Sequence, residues 1–106
     1  VTDRYLVEET LERLGIRHYF SEIFTCAEVG FGKDKPIIYR KALKHLGTTR
    51  EETCIFEDAL FALKTAKADG FTTVGVCDRH ENRQNELQSL ADYYIRDFAD
   101  PILKTI

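Results

Sequence analysis

Two short apolar runs, Thr53-Cys54-Ile55-Phe56 and Thr72-Thr73-Val74-Gly75-Val76, flank a stretch in which Ala59, Ala62, Leu63 and Ala66 recur at helical spacing and Gly70 follows. Runs this short, rich in β-branched and aromatic residues, suit strands. Two strands joined through a helix pair in parallel, since an antiparallel hairpin needs only a tight turn. Small residues along the connecting helix let it lie close to the sheet. This single unit commits the chain to an α/β architecture.

The alternation extends both ways. Residues 3–14 place Val7, Leu11 and Leu14 at i, i+4 and i+7 with Gly15 as a stop, which predicts a helix. Residues 23–26 are expected to form a short strand. Pro36 opens a second helix with a stripe of Tyr39, Leu43 and Leu46, and Gly47 ends it. Thr49-Arg50-Glu51-Glu52 fits a capping box and predicts one helical turn before the next strand. Residues 82–90 are expected to be helical, with Leu87 and Leu90 inward, residues 93–96 to form an edge strand, and residues 100–103 to start a terminal turn. Phe20, Phe24, Phe56, Tyr93 and Tyr94 are expected in the core. The expected fold is a doubly wound, Rossmann-like parallel sheet with helices on both faces, whose ligands bind beyond the carboxyl ends of the strands.

At 106 residues and 43% apolar content the chain suits one domain with a real core. A net charge of −3, with both signs interspersed, gives no basic field for nucleic acid or an acidic membrane surface. No apolar run approaches the roughly 18 residues of a membrane span. The three cysteines, Cys26, Cys54 and Cys77, are widely spaced and form no C-x-x-C, so they are expected to be reduced core thiols of a cytoplasmic protein. Cys77 and His80 make a lone C-x-x-H, too few ligands for zinc. His18, His45 and His80 share no spacing and are expected at the surface.

The first apolar run ends in two adjacent carboxylates, Glu57 and Asp58. Unit charges about 5 Å apart repel by roughly 3 kcal/mol at an effective dielectric near 20. The pair is either a solvated, favourably charged helix start or a set of hard oxygen ligands whose repulsion a dication removes. Mg²⁺ suits the second case, because it binds through one or two carboxylates and keeps waters and phosphate oxygens. Lys33, beyond the 23–26 run, falls on the same edge of the sheet and is either a solvated loop lysine or a partner for phosphate or carboxylate. Thr2, before the first helix, is either a cap, a role open to Asp3 as well, or a phosphate-oxygen donor backed by free N–H groups. Asp78-Arg79 suits a surface turn. Taken together, Thr2, Lys33, Glu57 and Asp58 suit phosphoryl chemistry carried by positioning and charge stabilisation.

In this order the residues resemble the haloacid dehalogenase-like hydrolases, in the branch of phosphoglycolate phosphatases and beta-phosphoglucomutases. Thr2 stands where the family has a Thr or Ser, Gly32-Lys33-Asp34-Lys35-Pro36-Ile37-Ile38-Tyr39 resembles its lysine motif, and Ile55-Phe56-Glu57-Asp58-Ala59-Leu60 its acid pair. The resemblance implies that residues 1–106 are the C-terminal portion of the core domain. It implies that Thr2 binds a phosphoryl oxygen and that Lys33, in preference to Lys35, stabilises nucleophile and phosphate. Asp58 would bind Mg²⁺ directly and Glu57 directly or through water. Ile37, Ala59 and Ala62 depart from the acidic, Ser and Gly residues common there. The family's nucleophile motif, Asp-x-Asp, does not occur in these residues. The first core strand and the substrate-selecting cap would lie upstream of Val1, in an enzyme of roughly 200 residues; this segment alone should not turn over. The activity implied is a Mg²⁺-dependent phosphatase for a small phosphorylated metabolite, working through an aspartyl-phosphate. The alternatives are a phosphomutase and a non-catalytic module that binds phosphate or a partner.

Overall fold

A computed structural model describes residues 3–106. The elements are α1 (Arg4–Arg13), α2 (Cys26–Val29), α3 (Ile37–Leu46), β1 (Cys54–Glu57), α4 (Leu60–Ala68), β2 (Thr72–Val76), α5 (Gln84–Leu90) and β3 (Tyr93–Ile95), with 3₁₀ turns at Arg17–Tyr19 and Pro101–Lys104. The three strands form one sheet in the order β1-β2-β3, parallel throughout. This is the expected α/β architecture.

Register fixes the faces. Ile55 pairs with Thr73, Glu57 with Gly75, and Gly75 with Tyr94, so these five share one side. The sheet advances in one direction, so right-handed crossovers put α4 and α5 on the same face. There Ala66 of α4 joins Ile38, Tyr39 and Phe71 in one buried cluster against Ile55, while Leu60, Leu63 and Leu87 form a second against Tyr94. Gly75 matters here for space: a Cβ on it would lie 3.2 Å from Ala91 Cβ, 3.3 Å from Tyr94 Cδ1 and 3.4 Å from Leu87 Cγ. On the opposite face Phe56 stacks on Phe98, with ring centroids 6.1 Å apart.

Several local expectations need correction. Residues 23–26 are not a strand: the Arg4 guanidinium takes the Ile23 carbonyl at 2.8 Å and the Glu22 carboxylate takes the Ile23 N–H at 2.8 Å, so side chains bond these groups in place of a ladder. Thr25 then caps α2, accepting the Glu28 N–H. Thr49 and Glu52 do exchange bonds reciprocally, Glu52 N–H to Thr49 Oγ1 and Thr49 N–H to Glu52 Oε1, but they close a turn, not a helix. The inward stripe of α3 is Ile38 and Tyr39 with Leu43 partly buried, and Leu46 faces outward. Leu14 is also exposed, and α1 buries no residue fully. Phe20 and Phe56 are exposed; Phe56 points away from the helical layer. Cys77 is exposed, not a core thiol.

The Gly75→Ala variant is expected to lose about 1–3 kcal/mol of stability, because a methyl there meets the sheet and α5 from three sides and Ala91 has no side-chain freedom to yield. Urea denaturation of the complete protein measures this; an unchanged midpoint would show that α5 is not held against the sheet.

Candidate active site

The carboxyl end of β1 carries the two adjacent acids, Glu57 and Asp58. Glu57 is the last residue of the strand, and alternation turns it toward the helical layer, where it is 6% exposed. A carboxylate so far out of water needs charge and hydrogen bonds to compensate it. Lys33 Nζ donates to Glu57 Oε1 at 2.7 Å. Tyr39 Oη donates to the same oxygen at 2.7 Å. Burial pushes the Tyr39 phenol far above its ordinary value, and the Glu57 carboxylate pushes it further the same way, so the hydroxyl stays a donor.

Both donors are carried by features visible in the sequence. Gly30 takes the left-handed conformation at the end of α2, at φ +87°, which a residue with a side chain rarely adopts. The chain then turns at residues 32–35, where the Lys35 N–H meets the Gly32 carbonyl at 3.1 Å, and Lys33 stands on that turn. Pro36 follows at the cap of α3 and delivers Tyr39 in the first helical turn.

Asp58 follows in a bend between β1 and α4 and is exposed. The start of α4 is secured from across the chain: Glu81 Oε2 accepts the Leu60 N–H at 3.0 Å, while its Oε1 accepts the Arg83 N–H at 3.1 Å. These backbone donors hold the Glu81 carboxyl below its ordinary range. The loop after β2 is braced in turn, with Gln84 Nε2 donating to the Asp78 carbonyl at 2.6 Å and Tyr94 Oη to Gln84 Oε1 at 2.8 Å. Asp78 accepts the His80 N–H within this turn.

The structure therefore brings Lys33 and Glu57 together beside Asp58. Lys35 is exposed and is not the lysine that reaches Glu57. Thr2 lies outside the described residues. Tyr39 and Glu81 were not singled out for the site by sequence reasoning. Tyr39 had a signal, a hydroxyl on an otherwise apolar stripe just after the lysine loop; Glu81 acts across 21 residues and had none. As a donor set for an ion, Glu57 and Asp58 suit a hard dication that completes its shell with waters and phosphate oxygens. Among the described residues no three His, Cys, Asp or Glu side chains come together as a metal-binding group.

The fold is a parallel α/β sheet with a lysine bonded to a strand-end carboxylate and a second acid before the following helix. The chain belongs to the haloacid dehalogenase-like hydrolases, whose family pattern matches residues 2–76. It is 31% identical over 71 residues to the fructose-1-phosphate phosphatase YqaB of Escherichia coli, covering 67% of this chain and 38% of that protein. It is 30% identical over 103 residues to a glyceraldehyde 3-phosphate phosphatase of Methanocaldococcus jannaschii, covering 94% of this chain and 45% of that one. Among solved structures, a beta-phosphoglucomutase candidate from Thermotoga maritima superposes with a TM-score of 0.75 at 27% identity, over 89% of this chain and 44% of that one. The chain spans less than half the length of these relatives.

Because the Glu81 carboxyl is lowered in the folded state, the stability it adds is fully present above its ordinary value of 4.5 and fades as pH falls through the lower folded value. Thermal melts of wild type and Glu81→Gln should differ at pH 7, with wild type the more stable, and the difference should shrink as pH falls below 4.5. A constant difference across that range would contradict the capping role.

Proposed function

We propose that this chain forms the C-terminal portion of the core domain of a Mg²⁺-dependent phosphatase, which acts on a small phosphorylated metabolite through an aspartyl-phosphate made on an Asp upstream of Val1. The observation that carries this reading is the Lys33–Glu57 contact of 2.7 Å beside Asp58, at the sheet edge where ligands of such folds bind. When bound, Mg²⁺ supplies charge stabilisation on phosphoryl oxygens. Asp58 would hold it directly and Glu57 directly or through water. Lys33 has one ammonium to share between Glu57 and an incoming phosphoryl group, where a cation lowers the cost of developing negative charge. Thr2 is assigned a phosphoryl oxygen by its place in the sequence alone. The substrate class is supported by the relatives, one named for fructose 1-phosphate and others for glyceraldehyde 3-phosphate, all small phosphorylated sugars.

The likeness to the beta-phosphoglucomutase candidate favours a phosphomutase as the second reading. The two differ in where the phosphoryl group ends: on water in one, back on the sugar in the other.

The complete protein, assayed with Mg²⁺ on p-nitrophenyl phosphate, fructose 1-phosphate, glyceraldehyde 3-phosphate and glucose 1-phosphate, should release inorganic phosphate. Asp58→Asn and Lys33→Ala should each lower kcat by about 10²-fold or more, and Lys35→Ala should stay within about twofold. Wild-type turnover by Asp58→Asn would remove the mechanism. Isomerised sugar phosphate without net phosphate release would replace the phosphatase with the mutase.

A further inference from the structure

Tyr39 belongs by pattern to the packing stripe of α3. Tyr39 is 6% exposed, its ring lies against Phe71 with centroids 6.2 Å apart, and it shares a buried cluster with Ile38 and Ala66. Packing explains the ring but not the hydroxyl, which a Phe would spare the cost of burying. A buried phenol needs a partner, and this one has Glu57 Oε1 at 2.7 Å, with the Ala62 carbonyl at 3.4 Å.

Among the described residues, both hydrogen bonds that reach the Glu57 side chain end on the same oxygen. One donor comes from the lysine turn and the other from α3. Two donors on Oε1, carried by separate elements, restrict rotation of the carboxyl group and leave Oε2 as its available oxygen. The donors are not equivalent. Lys33 is 39% exposed at its side chain, on a long flexible stem, whereas Tyr39 is locked in the core.

We propose that Tyr39 is a positioning residue for the acid pair: its hydroxyl keeps Glu57 Oε1 engaged and Oε2 available to a divalent cation, and goes on doing so when the Lys33 ammonium is drawn to a phosphoryl oxygen. This rests on the phosphatase reading above, and it gives the buried hydroxyl a function that core packing does not. The Tyr39→Phe variant keeps the ring against Phe71 and removes only the bond to Glu57.

The test uses the complete protein and Mg²⁺ alone as the probe, with affinity measured by calorimetry, followed by kcat and KM at rising Mg²⁺. Tyr39→Phe should bind Mg²⁺ about 10-fold more weakly, the lower end of what loss of such supporting bonds costs. Its kcat should recover at saturating Mg²⁺ with KM for the phosphate ester unchanged. Ile38→Val, a neighbouring core change, should lower Tm and leave Mg²⁺ affinity alone. Wild-type Mg²⁺ affinity in Tyr39→Phe, alongside loss of binding in Asp58→Asn, would overturn the role of Tyr39 and leave the phosphatase reading standing. Wild-type affinity in Asp58→Asn as well would overturn both.

Discussion

A carboxylate held at the end of a β-strand, under a layer of helices, is unstable unless the groups around it replace the water it has lost. Glu57 is in that position, and much of the architecture follows from how it is satisfied. The ammonium of Lys33 compensates its charge, so the turn at residues 32–35 must stand over the sheet edge. The hydroxyl of Tyr39 takes part of its hydrogen-bonding capacity, so α3 must lie with its first turn against β1 and α4. Glu57 is buried while Lys33 is partly exposed, so removing the ammonium would leave a buried carboxylate with only the Tyr39 hydroxyl to compensate it. Burying a carboxylate in this way costs stability that an apolar residue would not.

The remaining contacts tie the surrounding elements together. Arg40 on α3 binds Asp69 at the end of α4 through two bonds of 3.0 and 2.6 Å, tying the two helices together below the site. That guanidinium holds the Asp69 carboxyl below its ordinary range. Asp92, before β3, accepts from Thr73 N–H at 2.8 Å and from Lys67 at 2.9 Å, which fixes α4 against the far strands. Glu81 fixes the start of α4 next to Asp58. Each of these links joins an element to one distant in sequence, and together they set where Asp58 leaves the strand.

What the sequence conveyed depended on how local the determining physics was. The βαβ unit, the lysine turn and the ends of α3 and α4 follow from period, Pro and Gly, which act over a few residues, and they appear close to where those signals put them. The capping box of Thr49 and Glu52 was legible as an exchange of bonds, but its short span left a turn. Residues 23–26 have the composition of a strand, and only the reach of Arg4 across 19 residues to the Ile23 carbonyl reveals that side chains bond them instead. Phe56 and Leu46 show the same limit: hydrophobic character says that a residue can be buried, not which face of the sheet or helix is covered. At the site, residue types singled out the acids and the lysine, while the hydroxyl bonded to Glu57 was hidden in an apolar stripe.

We propose that Glu57 and Asp58 are gathered at the exit of β1 to hold a divalent ion, with Lys33 and Tyr39 holding Glu57 in place. Paramagnetic relaxation on the isotopically labelled complete protein, with Mn²⁺ standing in for Mg²⁺, tests it most directly. Amide signals of Glu57, Asp58 and Ala59 should broaden first, followed by Lys33, while Gly47 and Gly70, at the far ends of α3 and α4, stay sharpest, and added Mg²⁺ should reverse the effect. Broadening centred elsewhere, or none that Mg²⁺ displaces, would contradict it.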